Sequence, residues 1–261
     1  MVDYAIIGGT GIYEPDLLED IEAFESENIY GRVKVNIGRY RKKRIAFLPR
    51  HGEGHSIPPH LINYRANIRA LADLGVKKII STSAVGSLRE DFRPGDLALL
   101  DQFIDFTKAR KNTFFEGTEG VLHVDMTEPY CQELSQALRE NAGKNFLHFP
   151  TTYVCTEGPR FETPAEIRMF AKMGADVVGM TNVPEVILAR ELGMCYASIA
   201  IITNYAAGIS RENLTHQEVI ETMKNNILKV RDTIFRTIEN IDNQQSCGCN
   251  FANAEAGNLG K

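Results

Sequence analysis

The sequence predicts an α/β fold in which short buried strands are covered by amphipathic helices. Short apolar runs alternate with longer stretches of helical periodicity, which is typical of a sheet packed against helices. Of the 261 residues, 43% are hydrophobic and 24% are charged, as in ordinary soluble globular proteins. A chain of this length and hydrophobic content can bury a large core. Length and composition together therefore exclude a wholly disordered protein.

Eight strands and five helices are predicted, in the following order along the chain. The strands are Tyr4–Ile7, Val33–Ile37, Ile45–Leu48, Lys78–Ser83, Asp96–Leu100, Thr152–Cys155, Asp176–Gly179 and Cys195–Thr203. The helices cover roughly His60–Leu74, Pro129–Asn141, Pro164–Met173, Val183–Leu192 and Thr215–Asn240. Thr163-Pro164-Ala165-Glu166 is a strong helix start, because a Thr N-cap is followed by Pro at the first and Glu at the third helical position.

No Pro/Gly/Ser-rich linker divides the chain, so we predict a single domain over residues 1–241. Residues 242–261 are predicted to be a weakly ordered tail that carries the motif Cys247-Gly248-Cys249. This Cys-x-Cys pair could form a strained, reducible disulfide. No partner ligands for zinc are visible beside it, and Cys131, Cys155 and Cys195 are interpreted as small buried apolar residues. We therefore predict no metal site.

Composition and charge exclude several classes of protein. No apolar run approaches the roughly 18 residues that a membrane span needs, and the N-terminus lacks the basic region of a signal peptide. The net charge of −5, from 29 basic and 34 acidic residues, disfavours nucleic-acid binding. Five cysteines are an odd number in a long chain, unlike a secreted disulfide scaffold. We expect a cytoplasmic enzyme that binds neither nucleic acid nor membranes.

A glycine-rich turn, Gly8-Gly9-Thr10-Gly11, follows the first strand and could hold a small anion. Its backbone can approach a ligand closely, and the Thr10 hydroxyl can contact a phosphate oxygen. The turn departs from the dinucleotide fingerprint, because Glu14 occupies the place of the third glycine in G-x-G-x-x-G. An NAD(P)-dependent oxidoreductase therefore remains only an alternative from a different class.

A second candidate anion site is the loop Pro49–His55, which follows another strand. Arg50 and His51 could surround a phosphate with several donors. A metal site at His51, His55 and His60 and a simple solvated loop are the open alternatives, but no further ligand cluster of matching spacing completes a metal site.

Three blocks in the second half of the chain are more specific: Glu157–Glu166, Gly174–Glu185 and Ile202–Gly208. On these blocks the chain resembles the trimeric purine nucleoside phosphorylase and 5′-methylthioadenosine phosphorylase family, from about Tyr4 to Asn240. The resemblance implies a three-layer αβα fold with a central mixed sheet flanked by helices. It also implies a homotrimer or a dimer of trimers, with inorganic phosphate as co-substrate and neither metal nor organic cofactor.

The family's functional positions map onto residues of this sequence. The resemblance implies a phosphate site at Thr10, Arg50, His51, Ser83, Ala84 and Thr181. It implies nucleoside contacts at Phe161, Glu162, Met180, Asn204, Ala206 and His216, and at His123, which would reach a neighbouring subunit's pocket. Glu162, Asn204 and His51 are the catalytic candidates.

Glu162 and Asn204 predict the class of base. Family members that act on 6-oxopurines carry this Glu and Asn, whereas 6-aminopurine members normally carry Ser and Asp. The chemistry agrees, because Glu162 can accept the N1–H of a 6-oxopurine and the Asn204 amide can donate to O6 or N7. We therefore expect phosphorolysis of inosine and guanosine.

His216 distinguishes between two kinds of nucleoside. A histidine there can hydrogen-bond a ribose 5′-hydroxyl, whereas methylthio-specific members of the family carry an apolar residue. Phosphorolysis of 5′-methylthioinosine or 5′-methylthioadenosine is the alternative function.

Overall fold

The computed structural model describes residues 2–8, 18–117, 120–145, 147–210, 216–242 and 246–253, without the side chains of residues 53 and 216–220. Within these ranges eleven strands form one sheet: β1 Tyr4–Gly8, β2 Glu19–Asn28, β3 Gly31–Tyr40, β4 Lys43–Pro49, β5 Lys78–Ser87, β6 Leu97–Leu99, β7 Gln102–Phe106, β8 Leu147–His148, β9 Thr152–Thr156, β10 Val177–Gly179 and β11 Cys195–Tyr205. The α-helices are α1 Tyr64–Asp73, α2 Gln132–Asn141, α3 Pro164–Lys172, α4 Asn182–Glu191 and α5 His216–Asn240. None of the described helices is both long and apolar enough to cross a bilayer.

The sheet is mixed, and β5 is its central strand. Along one path the strand order is β2-β3-β4-β1-β5-β10-β9-β7, and β11 pairs with the other edge of β5 and leads on to β6 and β8. β1 and β11 run parallel to β5, whereas β10 runs antiparallel to it. The strand β5 therefore has two successive partners on one edge and a single long partner on the other.

Alternating side chains of the strands build two apolar layers. In β1, Tyr4 and Ile6 belong to the cluster packed against α2 and α5, whereas Ala5 and Ile7 belong to the cluster packed against α1 and α4. This is the period-two pattern of a strand that is buried on both faces. A third, smaller cluster lies beneath α3. The predicted three-layer αβα arrangement with a mixed central sheet is confirmed.

Sequence patterns did not predict β2, β7 or the two-residue β8. Strand β2 is exposed at almost every position and pairs only with β3 at the edge of the sheet. Charged residues alternate with small or apolar ones there without a buried face, and such edge strands gain little from hydrophobic burial. Backbone pairing with β3, which periodicity cannot reveal, makes this segment a strand.

Part of the predicted C-terminal tail packs against the body of the protein. Gly248–Phe251 forms a turn of 3-10 helix in which Cys249 is buried. The Ser246 hydroxyl donates to the Glu133 carboxylate at 2.6 Å, and the Asn253 amide donates to the Glu191 carbonyl at 2.8 Å. These contacts fix residues 246–253 beside the ends of α4 and α2.

Candidate active site

An opening exists in the sheet where β5 changes partner. β1 pairs with β5 as far as Ser81, and β10 pairs with it only from Gly86 onward. Because β1 is parallel and β10 antiparallel to β5, the carboxyl ends of both strands approach residues 82–85 from opposite directions. Ala84 is exposed in this interval although its neighbours are buried. Ligands commonly bind at the carboxyl ends of strands where strand order changes, so this opening is the candidate active site.

Arg50 enters the opening from the end of β4. Its guanidinium is almost completely buried and donates two bonds of 2.7 Å to the two oxygens of the Glu185 carboxylate. It also donates to the Ser81 hydroxyl at 2.7 Å and to the Thr82 carbonyl at 2.9 Å. Among the described residues these partners use four of the five guanidinium hydrogens, which leaves one N–H on Nη1. Arg50 is thus held rigidly at the edge of the opening.

His51 follows directly and is fixed in one tautomer. Its Nδ1 lies 2.8 Å from the carbonyl oxygen of Ile57. A carbonyl only accepts, so Nδ1 carries the hydrogen. Burial, reinforced by the adjacent Arg50 charge, lowers the pKa of His51 to about 4, so the ring is neutral at pH 7. Nε2 therefore presents a lone pair. The metal alternative at His51, His55 and His60 loses support, because Nδ1 is engaged and His55 stacks on the His51 ring at 4.1 Å.

Ser83 and Thr181 complete the polar lining of the opening. The Ser83 hydroxyl accepts a 3.2 Å bond from the side-chain amide of Asn182, the first residue of α4. Thr181 precedes α4 and follows β10, and its backbone N–H donates to the Tyr153 hydroxyl at 3.1 Å. The fold thus brings Arg50, Ser83, Ala84 and Thr181 to one opening. Thr10 lies outside the described residues, two positions beyond the end of β1.

Asn204 lies at the far end of β11, opposite Gly86. A β-bulge between Ile202 and Asn204 shifts the register there. The Thr203 hydroxyl donates to Asn204 Oδ1 at 2.8 Å, and Asn204 Nδ2 donates to the Tyr205 carbonyl at 2.9 Å. These two bonds fix the orientation of the amide, and Nδ2 retains a second hydrogen for a ligand.

Glycine at position 86 makes room for Asn204. A Cβ there would lie 3.1 Å from Asn204 Nδ2 and 3.4 Å from Ala206. Ala206 is itself buried, and its N–H donates to the Ser87 carbonyl at 2.8 Å. The predicted residues Asn204 and Ala206 therefore line the strand end that flanks the opening.

Glu162 lies in the loop before α3, on the other side of the site. The Thr156 hydroxyl donates to its carboxylate at 2.6 Å. Burial raises the pKa of Glu162 above the ordinary value, although the bond from Thr156 acts in the opposite direction. The loop is held at its end by a complete capping box between Thr163 and Glu166.

The same loop connects to β10 and β11 by close packing. A Cβ on Gly158 would lie 2.6 Å from Met180 Sδ, and one on Gly208 would lie 2.9 Å from Pro164. Both glycines have positive φ, so a side chain would be strained as well as crowded. These contacts place Met180 beneath the loop and join the segment after Asn204 to the start of α3. Phe161, predicted to pack on a purine, is 45% exposed in this loop.

Sequence reasoning missed Arg110, which ties the loops of the site together. Its side chain is 2% exposed and donates to the carbonyls of Met180 and Val183 at 2.8 and 2.6 Å. It also donates to the carbonyls of Thr156 and Glu157 at 3.2 and 2.8 Å. The only signal in the sequence was the basic run Lys108–Lys111, which is typical of a solvated surface.

Glu185, Thr156 and Thr203 are further residues that the sequence did not single out. Each orients a predicted site residue through a direct bond: Glu185 orients Arg50, Thr156 orients Glu162, and Thr203 orients Asn204. Glu185 is 135 positions from Arg50, and although Thr156 and Thr203 are near their partners in the chain, the sequence does not show that these hydroxyls point towards them.

Two predicted residues are not brought to the opening by the described part of the chain. His123 is exposed and lies in the segment before α2. His216 begins α5, but its side chain lies outside the described residues.

Comparison with known proteins decides the family. Residues 3–239 match the model of the phosphorylase superfamily. The chain belongs to the phosphorylase superfamily.

Several relatives of this phosphorylase cover nearly its whole length. It is 56% identical over 251 residues to a probable 6-oxopurine nucleoside phosphorylase of Dictyoglomus turgidum, covering 95% of each chain. It is 52% identical over 257 residues to the 6-oxopurine nucleoside phosphorylase of Pyrococcus furiosus, covering 95% of this chain and 96% of the relative. A probable S-methyl-5′-thioinosine phosphorylase of Methanothermobacter thermautotrophicus is 49% identical over 249 residues, with 95% and 87% covered.

Solved structures agree with the fold of this phosphorylase. A methylthioadenosine phosphorylase from Schistosoma mansoni in complex with adenine is 35% identical and superposes with a TM-score of 0.90, covering 98% of this chain and 97% of the other. The arrangement of sheet and helices is therefore that of the superfamily.

Proposed function

We propose that this chain is a purine nucleoside phosphorylase that cleaves 6-oxopurine nucleosides such as inosine and guanosine. The reaction is reversible: nucleoside and phosphate give the free base and ribose 1-phosphate. The observation that carries the proposal is that the site contains both an amide, Asn204, and a carboxylate, Glu162, and that a threonine hydroxyl orients each of them. The names of relatives at 52–56% identity, which describe 6-oxopurine nucleoside phosphorylases, support it.

The base would be recognised by complementary hydrogen bonds along its edge. A 6-oxopurine presents N1–H, which Glu162 accepts, and it presents O6 and N7, to which Asn204 Nδ2 donates. Adenine reverses this pattern, because its N1 accepts and its 6-amino group donates. A buried mismatch of this kind separates substrates by roughly 10⁴–10⁵ in kcat/KM.

Phosphate would bind in the opening beside β5. The remaining N–H of Arg50 and the hydroxyls of Ser83, Thr181 and Thr10 are donors suited to its oxygens. Neutral His51 presents a lone pair at Nε2, so it would accept a hydrogen bond from the protonated oxygen of HPO₄²⁻ or H₂PO₄⁻. In this role His51 orients the nucleophile, and the proton stays on the phosphate oxygen.

The chemical step needs no nucleophile from the protein, because phosphate itself attacks C1′. Positive charge develops on the ribose, above Met180, and is stabilised by the adjacent phosphate anion. Negative charge moves into the leaving purine, where Asn204 stabilises it at N7 or O6. Catalysis would rest on orientation and preorganised electrostatics, and the proposed reaction uses no metal or organic cofactor.

Phosphorolysis of 5′-methylthioinosine is the second candidate function. A relative at 49% identity is named for it, and its base is also a 6-oxopurine, so Glu162 and Asn204 suit both substrates. The proposed contact of His216 with a 5′-hydroxyl favours inosine and guanosine. An oxidoreductase function is not proposed, because the glycine turn that suggested it belongs to a phosphorylase superfamily member.

A substrate panel tests the proposal. Release of hypoxanthine from inosine is measured with a coupled oxidation assay, and we expect it only when phosphate is present. We expect slower cleavage of 5′-methylthioinosine and of adenosine. Base release without phosphate, or a strong preference for adenosine, would contradict the proposal. A preference for 5′-methylthioinosine would instead establish the second candidate.

The proposed enzyme acts as a homotrimer or a dimer of trimers, as the family resemblance implies. The exposure of His123 supports this assembly, because an exposed side chain remains available to a neighbouring subunit's pocket.

Phosphorolysis of inosine is expected to slow on acidification as Glu162 takes up a proton. The neutral carboxylic acid is a weaker acceptor for the N1–H of the base than the carboxylate is. Because burial raises the pKa of Glu162, this loss should begin above the pH at which an ordinary glutamate titrates. The folded state then binds the proton more tightly than the unfolded state, so protonating Glu162 favours folding and the loss is not denaturation. The measurement is kcat/KM for inosine against pH, and Glu162→Gln should remove this acidic limb. An unchanged limb in that variant would exclude Glu162 as its origin.

A further inference from the structure

We propose that Cys131, Cys195, Cys247 and Cys249 together bind one Zn²⁺ ion as a structural site. The Sγ atoms of these four residues all lie within 4.8 Å of one another. Zinc with four thiolate ligands is tetrahedral, and Zn–S bonds of about 2.3 Å place its sulfurs about 3.8 Å apart. The four sulfurs therefore need only small movements to coordinate one ion.

Two of the ligands are held by the body of the protein. Cys131 precedes α2, and its N–H donates to the Tyr196 carbonyl at 2.8 Å, which places it beside the start of β11. Cys195 is the first residue of β11, and its N–H donates to the Lys77 carbonyl at 2.8 Å. Backbone bonds thus fix both residues before any metal binds.

The other two ligands come from the packed C-terminal segment. Cys247 precedes the 3-10 turn, and Cys249 lies within it. The Cys247 sulfur is 3.3 Å from that of Cys195, and the amide of Asn253 anchors the far side of the turn. The Cys-x-Cys motif had no visible partner ligands in the sequence, and the fold supplies them from positions more than fifty residues away.

The surroundings favour thiolate sulfur. Nη1 of Arg190 lies 3.8 Å from the Cys249 sulfur, and the Leu134 N–H donates to the Cys131 sulfur at 3.4 Å at the start of α2. Four thiolates on Zn²⁺ carry a net charge of −2, which a buried cation and a helix N-terminus stabilise. Arg190 also lies 3.9 Å from the Asp125 carboxylate, which is largely exposed, so the thiolates would add a buried counter-charge that neutral disulfides do not offer.

The site would be structural rather than catalytic. Cys131, Cys195 and Cys249 are buried in the apolar cluster beneath α2 and α5, and four protein ligands leave no position open for substrate. Cys195 and Asn204 are at opposite ends of β11, about 30 Å apart at the rise of a strand. The ion would link α2, β11 and the C-terminal segment. Its binding would release the thiol protons of the four cysteines to solvent.

Metal content of the full-length chain tests the proposal. The protein is produced with zinc in the medium, purified under reducing conditions and analysed by inductively coupled plasma mass spectrometry. We expect about one zinc per chain, and Co²⁺ in its place should give the intense visible absorption of tetrahedral thiolate cobalt. The matched control is Cys155→Ser, which alters a buried cysteine outside the cluster and should retain the zinc.

The double variant Cys247→Ser/Cys249→Ser should lose the zinc and melt at a lower temperature, while its phosphorolysis of inosine near 25 °C is retained. Should the double variant fail to fold, the half-buried Cys247→Ser alone should weaken zinc binding. Unchanged zinc content in these variants would overturn the proposal. So would a reduced wild-type chain that takes up no stoichiometric Zn²⁺, or a purified chain without zinc in which intact mass shows disulfides among the four cysteines.

Discussion

Asn204→Asp is expected to shift the base preference of the enzyme towards adenosine. The Thr203 hydroxyl can still donate to one carboxylate oxygen, but the second oxygen replaces the Nδ2 donor. Losing one donor to the leaving group lowers kcat/KM for inosine by roughly 10²–10³-fold. The new carboxylate accepts from the 6-amino group of adenosine, so the adenosine-to-inosine ratio of kcat/KM should rise by at least about 10²-fold.

The measurement is kcat/KM for both nucleosides at saturating phosphate. Asn240→Asp is the matched control, because it makes the same change at an exposed position at the end of α5. The carboxylate also faces the Tyr205 carbonyl, to which Nδ2 donates in the wild type, so melting temperatures must be compared. A folded variant with an unchanged preference would refute the role assigned to Asn204.

Glu185→Gln is expected to destabilise the protein severely. Glu185 is fully buried and accepts bonds from Arg50 and from the Tyr196 hydroxyl, the latter at 2.6 Å. The substitution leaves the Arg50 charge buried without its carboxylate, which typically costs about 3–5 kcal/mol. Total stability of a domain is about 5–15 kcal/mol, so this loss should be obvious in urea denaturation.

Two further variants serve as comparisons. One measures how much the buried Arg50–Glu185 pair differs from an exposed ion pair, and the other distinguishes the stability effect of the pair from the role of Arg50 in phosphate binding. Asp73→Asn removes an exposed pair with Arg69 and should cost less than about 0.5 kcal/mol. The double variant Arg50→Met/Glu185→Leu removes both charges and should recover part of the lost stability, but not phosphorolysis. If Glu185→Gln were as stable as the wild type, the pair would not be needed for folding, and recovered activity in the double variant would exclude Arg50 from the phosphate site.

Local patterns in the sequence were sufficient for the elements that contain the site. The apolar runs at Tyr4–Ile7 and Cys195–Thr203 are buried on both faces, and burial of that kind leaves a pattern in the residues themselves. The capping box at Thr163 is likewise a local feature and is present in the structure. The edge strand β2 was missed because pairing with β3, rather than burial, makes it a strand.

Residues that orient the site could not be predicted in the same way. Arg110 occurs in a basic run, and Glu185 in a helix start, and neither context reveals a buried partner. Arg110 contacts four carbonyls from two loops, and Glu185 contacts Arg50 across 135 positions of the chain. Such contacts depend on strand order, which a single sequence does not specify.

The sequence by itself determined the α/β class, the order of the main elements and, through motifs matching a known family, the residues proposed to bind phosphate and purine. Those properties follow from short-range periodicity and from contiguous motifs, which the chain displays directly. Only the tertiary structure decided how β5 changes partner to create the opening, which hydroxyls orient Glu162 and Asn204, and which cysteines meet the Cys-x-Cys motif. The physical reason is that the strand order and the cysteine cluster join groups far apart in the chain, whose proximity is set by sheet topology. The hydroxyls of Thr156 and Thr203 are near their partners in the chain, but close packing rather than spacing sets the side-chain orientations that make those bonds.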